Sequence, residues 1–330
     1  MGVEGLSDRI LTIELFAPLQ DDLAEVEARL RETTLDHQPA LGEAVQHLVA
    51  SGGKRVRPAV TLFTTRMLGG DPQPAIALAA AVEMLHTATL VHDDLIDGSL
   101  LRRGMPTLNA RWTPAATVLT GDYLFARAAE LAAGANSVPL MSVFARALMT
   151  IVNGEIGQLF DGRGQLSRAG YFQRIYAKTA SLFEVSAEAA AIVADGRAPI
   201  VEAARTYGRE VGMAFQIVDD ILDFTSDAQH LGKPVGSDLR QGLFTLPALN
   251  YYAARPDDHD FNSLLNGRAG DPATVDRVVE AVRRSDAIPA ALAEGRAYCD
   301  RAVAALSSLP GGPDRRALAD LAEYFVSRRI

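Results

Sequence analysis

One cysteine, Cys299, and one tryptophan are all that 330 residues contain of those two types. A lone thiol cannot close an intramolecular disulfide or build a cysteine zinc cage, and it suits a reducing compartment. Basic side chains are also in deficit, 32 Lys and Arg against 41 Asp and Glu, for a formal charge of −9. Nucleic-acid binders carry a basic excess or stripe, so that class of partner is disfavoured. No hydrophobic run is long enough to span a bilayer: the most apolar stretch, Pro74–Leu85, is interrupted by Glu83 and reads as a core helix. The segment Met1–Phe16 carries Glu4, Asp8 and Glu14 and lacks the basic and apolar regions of a signal peptide. Gly2 is followed at position 6 by Leu, which breaks the myristoylation pattern. Low-complexity tracts and repeats of solenoid period are absent as well. The expectation is a cytoplasmic globular protein with no integral membrane segment, free to touch a membrane surface loosely.

Alternating strand patterns are scarce, and no Asn-Gly or Asp-Gly turn joins β-branched segments. Helical spacing dominates instead. Leu23, Val26 and Leu30 recur at three and four residues, as do Val275, Val278, Val279 and Val282, and Leu318, Leu321 and Phe325. Glycine and proline cluster at 69–72, 103–106, 195–199, 232–236 and 310–313, which marks short loops between helices. Two segments, Ala75–Leu95 and Gly208–Phe224, are apolar nearly all round and belong at the centre of a large bundle. The chain is therefore read as all-α, one domain over residues 1–330.

Both apolar helices close on acids. Asp93-Asp94-Leu95-Ile96-Asp97 ends the first, and Asp219-Asp220-Ile221-Leu222-Asp223 ends the second. Positions i and i+4 share a helix face, so Asp93 pairs with Asp97 and Asp219 with Asp223. Three carboxylates in five residues of an apolar helix repel one another and resist desolvation, which a cation relieves. Hard oxygen donors suit Mg²⁺, which fills its octahedron with water and phosphate oxygens. A diphosphate substrate bridged by metal is the expectation. Basic residues sit nearby in sequence: Lys54 and Arg57 follow Gly52-Gly53, and Arg102-Arg103-Gly104 follows the first cluster. Guanidinium forks match phosphate geometry.

These motifs together resemble the trans-isoprenyl diphosphate synthases, or polyprenyl synthetases. In order they are GGKRVRP at 52–58, EMLHTATLVHDDLID at 83–97, LRRG at 101–104, GDYL at 121–124, KTA at 178–180, FQIVDDILDF at 215–224 and GKPVGSDL at 232–239. The resemblance implies an all-α isoprenoid-synthase fold around a central cavity and a homodimer. It implies a Mg²⁺-dependent prenyltransferase that joins isopentenyl diphosphate to an allylic diphosphate. Asp93, Asp94, Asp97, Asp219, Asp220 and Asp223 would hold two or three Mg²⁺ on the allylic diphosphate. Arg102, Lys178, Thr179, Gln216 and Lys233 would contact that diphosphate, and Lys54, Arg57, His86 and Arg103 that of isopentenyl diphosphate. The catalytic set is Asp93, Asp94, Asp97, Arg102, Lys178 and Asp219. Family members commonly read DLREGKxTLP where this chain has Leu243 in place of the lysine, so Lys233 or Arg240 would have to supply that contact.

Within that resemblance, chain length is legible too. Ala88 and Thr89 precede Asp93 by roughly 6–8 Å along the helix. Farnesyl-forming relatives often block this level with an aromatic residue; here both are small. An all-trans product longer than C15 is expected, such as a quinone side-chain precursor, with Met141, Phe144 or Leu148 as a deeper floor. A geranylgeranyl product is the nearer alternative. A class I terpene cyclase, or a partner subunit of a heteromeric synthase, is more remote. Arg328-Arg329 offers a basic tail that would close over isopentenyl diphosphate.

Overall fold

In the computed structural model, residues 14–32, 38–160, 166–226, 235–265 and 271–328 are described. In chain order the first helices are α1 (Gln20–Glu32), α2 (Pro39–Ala50), α3 (Val56–Met67) and α4 (Pro72–Ile96). A short hairpin follows, β1 (Leu101–Arg102) and β2 (Met105–Pro106). Next come α5 (Pro114–Ala133), α6 (Val138–Phe160), α7 (Arg168–Ile175), a π-helical turn (Tyr176–Ala180), α8 (Ser181–Ala194) and α9 (Ala198–Thr225). The last group is α10 (Ser237–Arg240), α11 (Leu246–Ala254), α12 (His259–Leu265), α13 (Pro272–Arg283), α14 (Ala287–Leu306) and α15 (Pro313–Ser327). The all-α expectation holds, and the hairpin is the one departure from it among the described residues.

The chain forms two compact units. The first comprises Met1–Ala147, Leu182–Gly208 and Leu306–Leu318; the second comprises Leu148–Ser181, Arg209–Ala305 and Ala319–Ile330.

At the centre of the first unit lies α4. Asp71 caps its start by accepting the Gln73 N–H at 2.9 Å, and Pro72 fits the first helical position, where no N–H is needed. Ala75, Ile76, Leu78, Val82, Leu85 and Ala88 are all buried, against α1, α3 and α5. Each buried Leu, Ile or Val side chain contributes about 1.5–3 kcal/mol before chain entropy is counted. The helix is long and apolar enough to cross a membrane, yet 72% of its most apolar window is buried inside the protein, as a core helix requires. It ends at the acids through a glycine. Gly98 adopts φ +64°, the Gly98 N–H reaches the Leu95 carbonyl at 3.3 Å, and the Ser99 N–H reaches that of Asp94 at 2.8 Å. That pair of bonds satisfies the last carbonyls and stops the helix at Ile96, with Asp97 as its C-cap.

In the second unit, the later part of α9 packs Ile217, Ile221 and Phe224 into a core shared with α7, α11 and α13. The valines predicted from spacing, Val275, Val278, Val279 and Val282, all face that core. Phe261 sits among Phe244 at 5.3 Å and Tyr252 at 4.9 Å, ring centre to ring centre.

Gly208, on α9 within the first unit, touches the main chain of α8: a methyl added there would lie 2.4 Å from the Phe183 carbonyl oxygen and 2.8 Å from the Glu184 Cα. Backbone atoms cannot step aside as a side chain can. Gly208→Ala is expected to lose about 3 kcal/mol to overlap and regain only about 1 kcal/mol of helix propensity. Urea unfolding of the variant should show the net loss.

Candidate functional site

The first unit carries a cluster of basic side chains near His86 and an acidic cluster at the end of α4. The turn that enters α3 places Arg55 in the left-handed region, φ +50°, and the hairpin turn does the same to Arg103 at φ +53°, followed by Gly104 at +77°. Two successive positive φ values define the type I′ turn that closes a two-residue hairpin. Arg103 is thus the tip residue, and its guanidinium donates to the Gly52 carbonyl. The break predicted at 103–106 is this hairpin.

Arg57 is held differently, over the Phe183 ring at 4.8 Å, and its buried Nε has no hydrogen-bond partner. Burial pushes its guanidinium down to about 10, with Glu83 opposing the shift and Arg103 adding to it. The half-buried His86 imidazole is held well below its ordinary range, first by burial and then by Arg57, Arg103, Arg102 and Arg55. A neutral imidazole ringed by four guanidiniums makes a cationic pocket, and an orphan buried donor inside it invites an anion. Lys54 is exposed at its edge in sequence.

The acids at the end of α4 divide by role. Asp94 is buried and accepts Arg102 through both oxygens, Nε at 3.0 and 3.1 Å and Nη2 at 2.8 Å. Arg102 is thereby aimed by an aspartate. Asp93 is half-buried and Asp97 exposed, one helical turn apart, with the Asp97 N–H on the Asp93 carbonyl at 2.8 Å. His92, next to Asp93, donates its Nε2–H to the Val118 carbonyl at 3.1 Å and rests in a notch at Gly121, where a methyl would come within 2.2 Å of its Nε2. That notch accounts for the glycine of GDYL.

The second unit carries the other acids. Asp220 is buried and accepts the Tyr171 hydroxyl and the Gln216 amide, each at 2.7 Å; Thr179 in turn donates to Gln216 at 2.7 Å. Burial and the neighbouring Asp238 and Asp219 raise the Asp220 carboxyl well above its usual range, and the two hydrogen bonds only partly oppose that. Asp223 is buried and accepts the Asp238 N–H at 3.1 Å, while Asp219 is exposed. Lys178 lies on the π-helical turn, a geometry that recurs at functional sites, and donates to Glu155 at 2.9 Å. Gly154 makes room for that turn: a methyl there would meet the Ala177 Cβ at 2.5 Å.

Lys233 falls outside the described residues. Arg240, the other candidate to replace the lysine lost at Leu243, is committed to Asp276 and to the Val235 carbonyl at 3.2 Å. Arg328 is buried over the rings of Phe215, Tyr324 and Phe325, so it is not a solvated tail, and Arg329 is outside the described residues. Of the chain-length residues, Ala88 is fully buried, Thr89 is buried and donates to the His86 carbonyl at 2.7 Å, and Phe144 is buried. Met141 is only half-buried and lines a surface groove of about 510 Å³ with Asn136, Ser137 and Val138. Leu148 is half-buried and belongs to the second unit.

Residues that the motifs did not single out are Arg55, Glu83 and His92 in the first unit and Glu155 and Tyr171 in the second. Arg55 and Glu83 stood inside the motifs; a charge in an apolar helix was the signal for Glu83. Nothing local marks Tyr171.

The donor set fits a hard cation. Among the described residues no three His, Cys, Asp or Glu side chains form a preassembled cage. Carboxylates alone, crowded enough to raise Asp220, suit an ion that completes its shell with water and phosphate.

Comparison with known proteins agrees with this chemistry. The Polyprenyl synthetase family matches residues 38–282. A heptaprenyl diphosphate synthase component 2 of Geobacillus stearothermophilus is 40% identical over 95% of this chain and 98% of its own length. The octaprenyl diphosphate synthase of Haemophilus influenzae is 36% identical over 97% and 98%. A crystal structure of a polyprenyl synthase from Caulobacter crescentus, complexed with calcium and isoprenyl diphosphate, superposes with a TM-score of 0.90 at 39% identity, covering 97% of this chain and 98% of that one.

Tyr171→Phe would leave buried Asp220 with one side-chain donor instead of two. The expected cost is about 1–3 kcal/mol of stability, read from urea unfolding.

Proposed function

The chain belongs to the polyprenyl synthetase family and is a prenyltransferase, and from that premise we propose that it condenses isopentenyl diphosphate with an allylic prenyl diphosphate to make an all-trans polyprenyl diphosphate longer than C15. The observation that carries this reading is a single helix, α4, that sets His86 near the guanidiniums of Arg55, Arg57, Arg102 and Arg103 and closes, about two to three turns further on, in a carboxylate cluster. An anion site and a cation-recruiting site on one core helix of one unit are what two diphosphate substrates demand.

In this reading Lys54, Arg57, His86 and Arg103 bind the diphosphate of isopentenyl diphosphate. Neutral His86 can donate one N–H without adding charge to a pocket already rich in it. In the first unit Arg102, aimed by Asp94, is assigned to diphosphate contact; in the second unit Lys178, steadied by Glu155, has that role with Thr179 and Gln216. Asp93 and Asp97, with Asp219 and Asp223, are the residues that would hold Mg²⁺. Bound there, the metal would draw charge onto the leaving diphosphate and ease scission of the allylic C–O bond. The arginines and Lys178 stabilise the same charge as it develops, and they are already in place before the bond breaks. The terminal carbon of isopentenyl diphosphate then bonds to the allylic carbon, and a proton is lost to the departing diphosphate, so the chain need supply no dedicated base.

The small, fully buried Ala88 supports a hydrocarbon path past α4 and hence a long product. On α6 of the second unit, Met149, Val152, Ile156, Leu159 and Phe160 leave an exposed apolar stripe, and a second copy of this chain is the occupant assigned to it. The enzyme is read as cytoplasmic. A second reading, a component of a heteromeric synthase, is favoured by the name of the Geobacillus relative.

Purified protein with Mg²⁺, farnesyl diphosphate and labelled isopentenyl diphosphate is expected to give an extractable labelled prenyl product longer than C15, and none after EDTA. Product from this chain alone excludes the heteromeric reading; no product at all sinks the synthase reading for the isolated chain. Ala88→Phe is expected to shorten the product by at least one isoprene unit on chromatography, and an unchanged length would show that the hydrocarbon does not pass α4 at that level.

A further inference from the structure

Glu83 is a carboxylate in a helix that is otherwise apolar at that level: it is 5% exposed, between Val82 at 0% and Met84 at 1%. Its Oε1 accepts the Arg55 Nη1 at 2.7 Å, an ion pair with both partners mostly enclosed. The pair is part of something larger. A methyl built on Gly53 would stand 3.2 Å from the Arg103 Nη1, 3.5 Å from the Arg55 Nη1 and 3.6 Å from the Glu83 Oε1. Two guanidiniums and one carboxylate therefore converge on the same small space, which the missing side chain of Gly53 leaves open. Both arginines that point there sit on left-handed backbone, at Arg55 and Arg103. Such residues cost about 1–3 kcal/mol each unless the surroundings over-determine them, and here they aim charge at one spot. Arg57 also feels Glu83.

A bland reading exists: a buried ion pair can be mere packing, and such pairs are weak evidence for stability. It does not explain why one carboxylate serves three arginines of the anion pocket. Each arginine also has a hold that does not involve Glu83. Arg55 reaches Glu27 and the Val49 carbonyl, each at 3.4 Å; Arg103 reaches the Gly52 carbonyl; Arg57 lies on Phe183. Position is thus set several times over. Glu83 is also the more enclosed of the two carboxylates on Arg55, its side chain 7% exposed against 35% for Glu27, so its charge is the less screened by solvent.

We infer that Glu83 is a resident counter-ion of the isopentenyl diphosphate pocket, one that keeps the arginines together when the pocket is empty and weakens their grip on the diphosphate when it is full. The inference rests on the proposed reading of that pocket. Its chemical sense lies in repeated elongation: the diphosphate that arrives with each isopentenyl unit stays on the lengthened chain and must leave this pocket before the next unit binds. Charges a few ångström apart interact by several kcal/mol at the dielectric of a partly buried site, so a fixed carboxylate shifts affinity measurably. An arginine cluster with no internal counter-charge would hold its product too long.

The test is isothermal titration of inorganic pyrophosphate into the full-length protein with EDTA present, so that metal-dependent binding is silent. The variants are Glu83→Gln and Arg57→Gln. Glu83→Gln keeps an oxygen acceptor for Arg55 and removes only charge; it is expected to bind pyrophosphate about tenfold more tightly, as the loss of a nearby like charge predicts, while the ligand-free protein melts at a lower temperature. Tighter binding is a result that simple damage cannot produce. Unchanged or weaker binding by a folded Glu83→Gln protein overturns the inference. Should that variant not fold, the double variant Arg55→Gln/Glu83→Gln removes both charges together and is expected to stay within about twofold of wild type, whereas a tenfold loss would show that the pair acts by position and overturns it equally. The Arg57→Gln control locates the binding in the pocket. If wild type binds no pyrophosphate, or Arg57→Gln binds it as well as wild type, the reading of the pocket fails and takes the inference with it.

Discussion

A helix buried on every side can carry charge only where something nearby cancels it. That constraint organises the first unit. Along α4 the buried residues are apolar until Glu83 and Asp94, and each of those carboxylates meets an arginine: Arg55 at 2.7 Å and Arg102 at 2.8 Å. An uncompensated carboxylate in that environment would cost several kcal/mol or take up a proton. The arginines come from segments that follow and precede the helix, a glycine turn on one side and a two-residue hairpin on the other. The left-handed backbone at Arg55 and Arg103 is a consequence: both turns have to be tight for the guanidiniums to arrive where α4 needs them.

The same constraint appears in the second unit with neutral donors in place of arginine. Asp220 is satisfied by a phenol and an amide, Gln216 is fixed in turn by Thr179, and the carboxyl is pushed up despite them. An arginine would have lowered that carboxyl and committed it as an anion. Phenol and amide leave it poised among Asp219 and Asp238, in surroundings where a cation would be welcome. The two acidic clusters look alike as five-residue motifs, yet their buried members have different partners, a guanidinium on Asp94 and a phenol with an amide on Asp220.

Much of this was legible in one dimension. The valine spacing of α13 and the all-round apolar character of α4 and α9 specified which faces are buried, because a helix repeats every 3.6 residues whatever surrounds it. Acids closing two such helices pointed to a cation, and the ordered motifs specified the family. What stayed hidden was tertiary or conformational. Glu83 and Arg55 are separated by 28 residues, and no local pattern says they touch. The hairpin escaped because its turn is Arg-Gly, where Asn-Gly is the usual signal for two successive positive φ angles. The π-helical turn at Lys178 has a sequence that an ordinary helix could hold; only the close approach of Ala177 to Gly154 distinguishes it. Arg240 was a reasonable stand-in for the missing lysine until Asp276 claimed it.

The net charge of −9 therefore says little about the ligand. Charge averaged over a surface governs solubility and long-range steering; binding is decided within a few ångström. In the first unit that neighbourhood holds four guanidiniums near a neutral imidazole, with the enclosed carboxylate of Glu83 among them, and an acidic protein gathers a few of its arginines there, two of them on tight turns. The acids that dominate the composition include those that close α4 and α9, where a divalent ion, once bound, would reverse their sign. An acidic chain can thus take two anionic substrates in two ways, one through arginine and one through metal, and the two ways differ in what releases the ligand. Guanidiniums hold a diphosphate unless another charge loosens them, while a metal ion can depart with it.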